Sequence, residues 1–178
     1  MIRILLTRLV ARFERILGVE LPYLRAVTEH SPSALLPIAL SMPASAYGRQ
    51  VPASVLHMVR LGATQAQDCG ECLQIAVNMA VRDSIAAEDI RAALSGRFDE
   101  LSSEFAEAFE FGRLAGGQPV SPDCREALRA RYSEKGLIEA SMAAAGAQFF
   151  PVLKRGMGFA HACDLDRLEF VGHDLEAA

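Results

Sequence analysis

The chain has 178 residues, 51% hydrophobic and 22% charged, with a formal net charge of −4. That is enough for one well-cored domain and too apolar for a disordered one. Net acidity without a Lys/Arg stripe argues against nucleic acid as a partner, and no unbroken apolar run reaches the ~18 residues of a membrane span.

Residues 2–17 predict an amphipathic helix. Ile2, Leu5, Leu6, Leu9, Val10, Phe13, Ile16 and Leu17 form an apolar stripe, Arg3, Arg8, Arg12 and Arg15 lie mostly off it, and Gly18 stops it. Such a stripe packs on its own domain or on a second subunit; membrane-surface binding is the rarer use of a basic amphipathic helix. Arg3 and Arg8 interrupt this segment too early for a signal-peptide core, so a reducing, cytoplasmic setting is expected.

Leu21-Pro22 opens a short second helix to about Glu29, and Ser31-Pro32 caps a third that Pro43 should end. Residues 41–50 read as a loop. Pro52 starts a helix to about Gln67 with Val55, Leu56, Val59, Ala63 and Ala66 inward. A helix to about Arg82 follows with almost no linker, so the two form a tight hairpin. Glu88 to Leu94 is a short helix. Ser102 to Leu114 is another, broken by Gly116-Gly117. Ser121-Pro122 caps a helix to about Tyr132, and the last long helix starts near Gly136 and is kinked or divided at Pro151. The tail beyond about Asp164 reads as irregular, its last residues frayed. No segment alternates as a strand would. The expectation is all-α, a single domain over 1–178 of about eight helices.

The chemistry concentrates in Asp68-Cys69-Gly70-Glu71-Cys72, at the head of an apolar helix. Asp68 reads as the N-cap and Glu71, three residues on, as the partner of a capping box. The i, i+3 spacing of Cys69 and Cys72 puts both thiols on one face, close enough for a disulfide. The helix N-terminus favours thiolate, most of all at Cys69. Asp68 and Glu71 oppose it as like charges, so a base or cation from elsewhere must offset them. In a reducing compartment such a pair is more often redox-active or metal-binding than a structural staple. Zinc would need four ligands, and Cys124, His161 and Cys163 do not complete a ligand pattern, so no metal is expected.

The order of segments supports a resemblance. Arg60-Leu61-Gly62-Ala63 ends one helix; the Cys-Gly-Glu-Cys pair opens a second that reaches Met79-Ala80. Then come a short helix at Glu88-Asp89-Ile90, an acidic-aromatic helix around Phe105 to Phe109, and one opened by Ser121-Pro122. This resembles the carboxymuconolactone decarboxylase superfamily, in its alkylhydroperoxidase D-like branch. The resemblance spans about 30–155, with 1–30 as an N-terminal helical extension and 156–178 as a C-terminal one. It implies an all-helical fold, homo-oligomers (trimers, their multiples, or a dimer), and thiol-based reduction of peroxides or of a partner disulfide, with an external dithiol as reductant and no cofactor for the thiol step. The redox branch carries a His four residues after its second Cys and a Glu twelve before its first; this chain has Ala76 and His57 there.

The candidate site is therefore Cys69, Cys72 and His57 as the catalytic group, with Asp68, Glu71 and Arg60 in support. His57 is the candidate base, an imidazole on the helix that packs beside the thiols. Which cysteine attacks first stays open: helix position favours Cys69, the resemblance Cys72. The rival readings are a non-catalytic oligomeric member with a vestigial pair, and a decarboxylase-like enzyme acting on a small carboxylated lactone.

Overall fold

The computed structural model describes residues 2–170, and these are all-helical. Eight α-helices follow in chain order: α1 Ile2–Leu17, α2 Pro22–His30, α3 Leu35–Ser45, α4 Ala53–Gln65, α5 Gly70–Arg82, α6 Ala87–Leu94, α7 Ser103–Gly117 and α8 Pro122–Gly156. Single 3₁₀ turns sit at Pro32–Ala34, Phe98–Glu100 and Leu165–Arg167. The expected fraying of the last residues, and His173, lie outside the described residues.

The centre is α4. It is apolar nearly all round, as a helix surrounded by others must be. Residues 55–59 and 61–64 are all buried, and α5, α6, α7 and α8 all pack against it. The approach of α7 is very close. A Cβ at Gly112 would lie 2.0 Å from the Val59 carbonyl oxygen, and one at Gly62 2.2 Å from that of Phe109. Only two facing glycines allow the backbones so near. Gly116, expected to break α7, instead lies buried within it against Ala63.

Three other boundaries differ from expectation. The third helix starts with a 3₁₀ turn at Pro32–Ala34 and continues through Pro43 to Ser45. Pro37 lies in the first turn of α3, where a missing N–H costs least. Pro151 does not divide α8; the break lies at Ser133, with φ 66° and ψ 179°, between the helix expected to about Tyr132 and the one expected from about Gly136. The Ser121 hydroxyl caps α8 as expected, accepting from the Cys124 N–H. By length and composition α8 could cross a membrane, although 39% of its most apolar 18-residue window is buried inside this fold.

Two buried carboxylates fasten the ends of helices. Glu14 on α1 accepts from the Leu21 N–H at 2.8 Å and pairs with Arg25 at 2.7 Å, tying α1 to α2. Glu139 on α8 accepts from the Gln50 and Val51 N–H groups just before α4, each at 2.9 Å. The α1 stripe is largely uncovered: Val10 is buried, whereas Ile4, Leu5, Leu9 and Ile16 are exposed, as are Leu36 and Leu40 on α3.

After α8 the chain doubles back. Gly158, at φ 77°, makes the turn, and residues 159–170 run across the head of α5 and along its flank. This strap is held by paired hydrogen bonds between Gln74 and the backbone of Glu169, and by Arg91 stacked on Phe170 at 4.1 Å.

Candidate functional site

At the turn between α4 and α5, Asp68 takes a left-handed conformation at φ 48°. That shifts the helix start by one residue from the expected capping box. Cys69, not Asp68, is the N-cap; Gly70 is the first helical residue and Cys72 the third. A left-handed residue cannot serve as an N-cap, which needs extended geometry. The Asp68 carboxylate instead accepts from the Cys163 N–H of the strap at 2.8 Å. Glu71 faces away from the Cys69 backbone. Its two oxygens bond Lys154 Nζ at 2.8 Å and His161 Nδ1 at 2.5 Å.

Lys154 is the cation that the local sequence lacked. It stands one turn beyond Pro151 on α8 with 2% of its side chain exposed, its ammonium also 5.6 Å from the Tyr23 ring centroid. Burial works against its charge. The Glu71 hydrogen bond and the negative potential of the thiols outweigh burial and raise its pKa above the usual lysine value. Glu71 responds in the opposite sense. Burial would raise it, but Lys154 and His161 hold it below the usual carboxylate range.

The two thiols are made unequal. The Cys72 thiol donates to the Cys69 sulfur, which lowers the Cys69 pKa against the cost of burial. The Cys72 backbone N–H and the Lys154 charge act the same way, and Glu71 opposes. The N–H contribution is that of an N-cap sulfur at a positive helix end, although its geometry is looser than a regular cap bond. Cys72 is pushed up, chiefly because it donates that hydrogen bond, then by burial and by the Cys69 charge. The hydrogen bond and the charges around the pair therefore favour the thiolate at Cys69 and the proton at Cys72. Cys69 has no exposed surface and Cys72 has 8%. Tyr23, from α2, is also buried at the site; burial and the two thiols push its hydroxyl pKa up.

The strap seals this arrangement. The Gly70 N–H donates to the His161 carbonyl at 3.1 Å, so the first N–H of α5 is used by the strap. A Cβ at position 70 would stand 3.0 Å from the Ala162 oxygen, so glycine is what lets the strap lie flat there. Cys163 follows, half-buried, beside the head of α5.

His57 and Arg60 are elsewhere. His57 Nε2 is 2.7 Å from Asp83, which caps the far end of α5. Asp83 is eleven residues beyond Cys72, roughly 16 Å along the helix axis at ~1.5 Å per residue. Burial holds His57 below its ordinary value despite the Asp83 bond, with Arg60 and Arg82 pushing the same way. The imidazole is neutral and donates to Asp83. The charge of Arg60 acts on this pair, and burial lowers its own pKa. The structure thus brings together Cys69, Cys72 and Glu71, turns Asp68 of the α4–α5 turn toward the strap, and groups His57 and Arg60 at the other end.

Sequence reasoning missed Lys154, Tyr23 and the strap. Lys154 carried one signal, as an isolated lysine after the apolar run Phe149-Phe150-Pro151-Val152-Leu153. Among the described residues, no group of three or more His, Cys, Asp or Glu side chains is placed to hold a metal ion. Comparison with family models, with curated proteins and with solved structures finds no match for this chain.

Proposed function

We propose that the protein is a thiol–disulfide oxidoreductase of the thiol-peroxidase kind, working through Cys69 and Cys72, in the manner of the alkylhydroperoxidase D-like proteins its sequence resembles. The observation that carries this is the buried Lys154 ammonium beside a Cys-x-x-Cys at a helix N-terminus. Lys154 is paired with Glu71, and its charge also lies in the field of both thiols, where it favours a thiolate at Cys69 that Glu71 alone would oppose.

In this reading Cys69 is the nucleophile. Its sulfur attacks the terminal oxygen of a hydroperoxide, and the O–O bond breaks. Cys69 becomes a sulfenic acid, and the departing alkoxide takes a proton from water to leave as alcohol. The Cys72 thiol then attacks the Cys69 sulfur. The S–O bond breaks, hydroxide leaves with the Cys72 proton as water, and the Cys69–Cys72 disulfide closes. An external dithiol returns both thiols. A sulfur with no exposed surface suits a small peroxide as oxidant better than a protein disulfide. Lys154 offsets Glu71 and stabilises the thiolate electrostatically; His57 has no part in these steps.

The test is intact mass after mild peroxide and alkylation. The expected result is loss of two hydrogens, mapped to Cys69–Cys72 and reversed by dithiol. Two freely alkylated thiols after peroxide would sink the reading. A homo-oligomer belongs to the same reading, because Leu5 and Leu9 on α1 and Leu36 and Leu40 on α3 are exposed apolar side chains that a second subunit would cover. Sedimentation at micromolar concentration should give a species larger than 19.2 kDa.

A further inference from the structure

We propose that Cys163 is the exchange thiol of this site: it takes the disulfide over from Cys72 and carries it to the surface, where the external reductant meets it. The proposal rests on the redox reading of Cys69 and Cys72.

The geometry supports it from three sides. First, Cys163 lies against the nucleophile's own turn. Its N–H is fixed by Asp68, the residue before Cys69, and its Cα stands 3.6 Å from where a Cβ of Gly70, the residue after Cys69, would lie. Adding a Cα–Cα step of about 3.8 Å and a bond of about 1.5 Å puts the Cys69 and Cys163 Cα atoms no more than about 9 Å apart. A disulfide needs them within about 7 Å. The strap supplies the difference: residues 159–164 form no helix or strand, so a shift of Cys163 costs only its bond to Asp68 and that of His161 to Gly70. Secondly, accessibility is graded. Cys69 is sealed, Cys72 nearly so, and Cys163 is part-exposed on a segment whose neighbours His161, Ala162 and Asp164 are exposed. A folded dithiol protein reaches Cys163 before it reaches either partner. Thirdly, the charges time the step. Burial holds the Cys163 thiol up, and the charges of Asp68, Cys69 and Asp164 add to this. Once Cys69 is in a disulfide its charge is gone, so Cys163 ionises more readily when there is a disulfide to attack.

The exchange balances without a further oxidant. The Cys163 thiolate attacks the Cys69 sulfur, a Cys163–Cys69 bond forms and the Cys69–Cys72 bond breaks. Cys72 leaves as thiolate beside Lys154 and takes up the proton that Cys163 lost. An external dithiol then attacks the Cys163 sulfur, releasing Cys69, the better leaving group because its thiolate is stabilised.

The experiment uses the full chain. Cys72→Ser is treated with one equivalent of hydrogen peroxide, quenched with acid and N-ethylmaleimide, and mapped by peptide mass. A Cys69–Cys163 disulfide within one chain is expected. Separately, pre-oxidised parent, Cys163→Ser and Cys124→Ser proteins are reduced with thioredoxin. Cys163→Ser should be reduced at least about ten-fold more slowly than the parent, and Cys124→Ser at the parental rate. Parental reduction of Cys163→Ser, or a Cys72→Ser protein that stops at the Cys69 sulfenic acid, overturns the exchange role and leaves the redox reading standing. A parent that forms no Cys69–Cys72 disulfide overturns both.

Discussion

At the N-terminal end of α5 a buried lysine keeps its charge; at the C-terminal end a buried histidine loses its own. Burial acts against the charged form in both places. The company differs. Lys154 has Glu71 at 2.8 Å and two thiols, of which Cys69 is favoured as thiolate, so its surroundings are anionic. His57 has one carboxylate, and the arginines at 60 and 82 also act on that carboxylate and against an imidazolium. The helix dipole adds to the contrast at the first end, where partial positive charge favours the Cys69 thiolate. Two ionisable pairs on one hairpin thus come out as an ion cluster around the thiols and a hydrogen bond that disfavours charge on the imidazole. The lesson is that the ionisation of a thiol here is set by what surrounds it, not by the Cys-x-x-Cys alone.

The sharpest way to break the comparison is at the thiols. Cys69→Ser should lose peroxide turnover by about a thousand-fold or more, since the remaining thiol of the pair, Cys72, is disfavoured as a thiolate by burial. Cys72→Ser should still react once but fail to close the native disulfide. Stopped-flow peroxide consumption checks both. A Cys69→Ser protein that retains a tenth of the rate would mean that the ion cluster serves something else.

Next in size is the cation. Lys154→Met should slow iodoacetamide labelling of Cys69 at pH 7 by roughly ten- to a hundred-fold, with little difference above pH 9, where the thiol ionises unaided. It also leaves Glu71 with His161 as its side-chain partner, costing about 1–3 kcal/mol, less than for a fully buried pair because a third of Glu71 is in water. Adding Glu71→Gln should restore much of the stability but not the labelling rate at pH 7. If the double variant labels like the parent, Lys154 is only a counter-ion to Glu71.

The other end of the hairpin should respond in the opposite way. His57→Ala should destabilise by about 1–3 kcal/mol, through a cavity and a lost hydrogen bond, yet change Cys69 labelling by less than about two-fold. A ten-fold loss of labelling in the folded variant would put His57 back among the groups that serve the thiols.

The smallest effect is in pH dependence. His57 is held below its ordinary value of about 6.5, so the unfolded chain takes up that proton first as pH falls. Its contribution to stability is full above about pH 6.5 and declines below it. Asp83, also held low, adds a loss of the same sign near and below its own range. Urea melts between pH 8 and pH 5 on a Cys69→Ser background should show this decline, and His57→Gln should flatten it.

Much of the helix order was legible because local rules decide it. Ser121-Pro122 caps α8 as such pairs do, and Gly18 and Gly96, at φ 70° and 72°, stop α1 and α6. The hairpin was legible from two apolar helices with almost no linker. The exact head of α5 was not, because the left-handed turn at Asp68 is set by its bond to Cys163, 95 residues away. The break at Ser133 falls where the helix to about Tyr132 was expected to give way to the one from about Gly136, whereas the division expected at Pro151 is absent. The thiols were visible as a pair at a helix start. Lys154 was not, since nothing in a sequence says which of many lysines and arginines will be folded into the core beside them. His57 stands where the redox branch that the sequence resembles carries a Glu, but its ring is claimed by Asp83.

Glu139 bears on how the molecule is put together in time. Its carboxylate holds the two N–H groups that lead into α4, from 88 and 89 residues further along the chain. Lys154 likewise meets Glu71 from 83 residues away. Both supports of the hairpin that carries the thiols thus come from the last helix. During synthesis the Cys-x-x-Cys emerges well before either support, so its thiols remain ordinary until α8 docks. Formation of the acidic Cys69 is therefore a late event in folding, with a high loop-closure cost. A fragment ending before residue 139 carries both cysteines and neither helper, so a lowered Cys69 pKa becomes a reporter of completed folding.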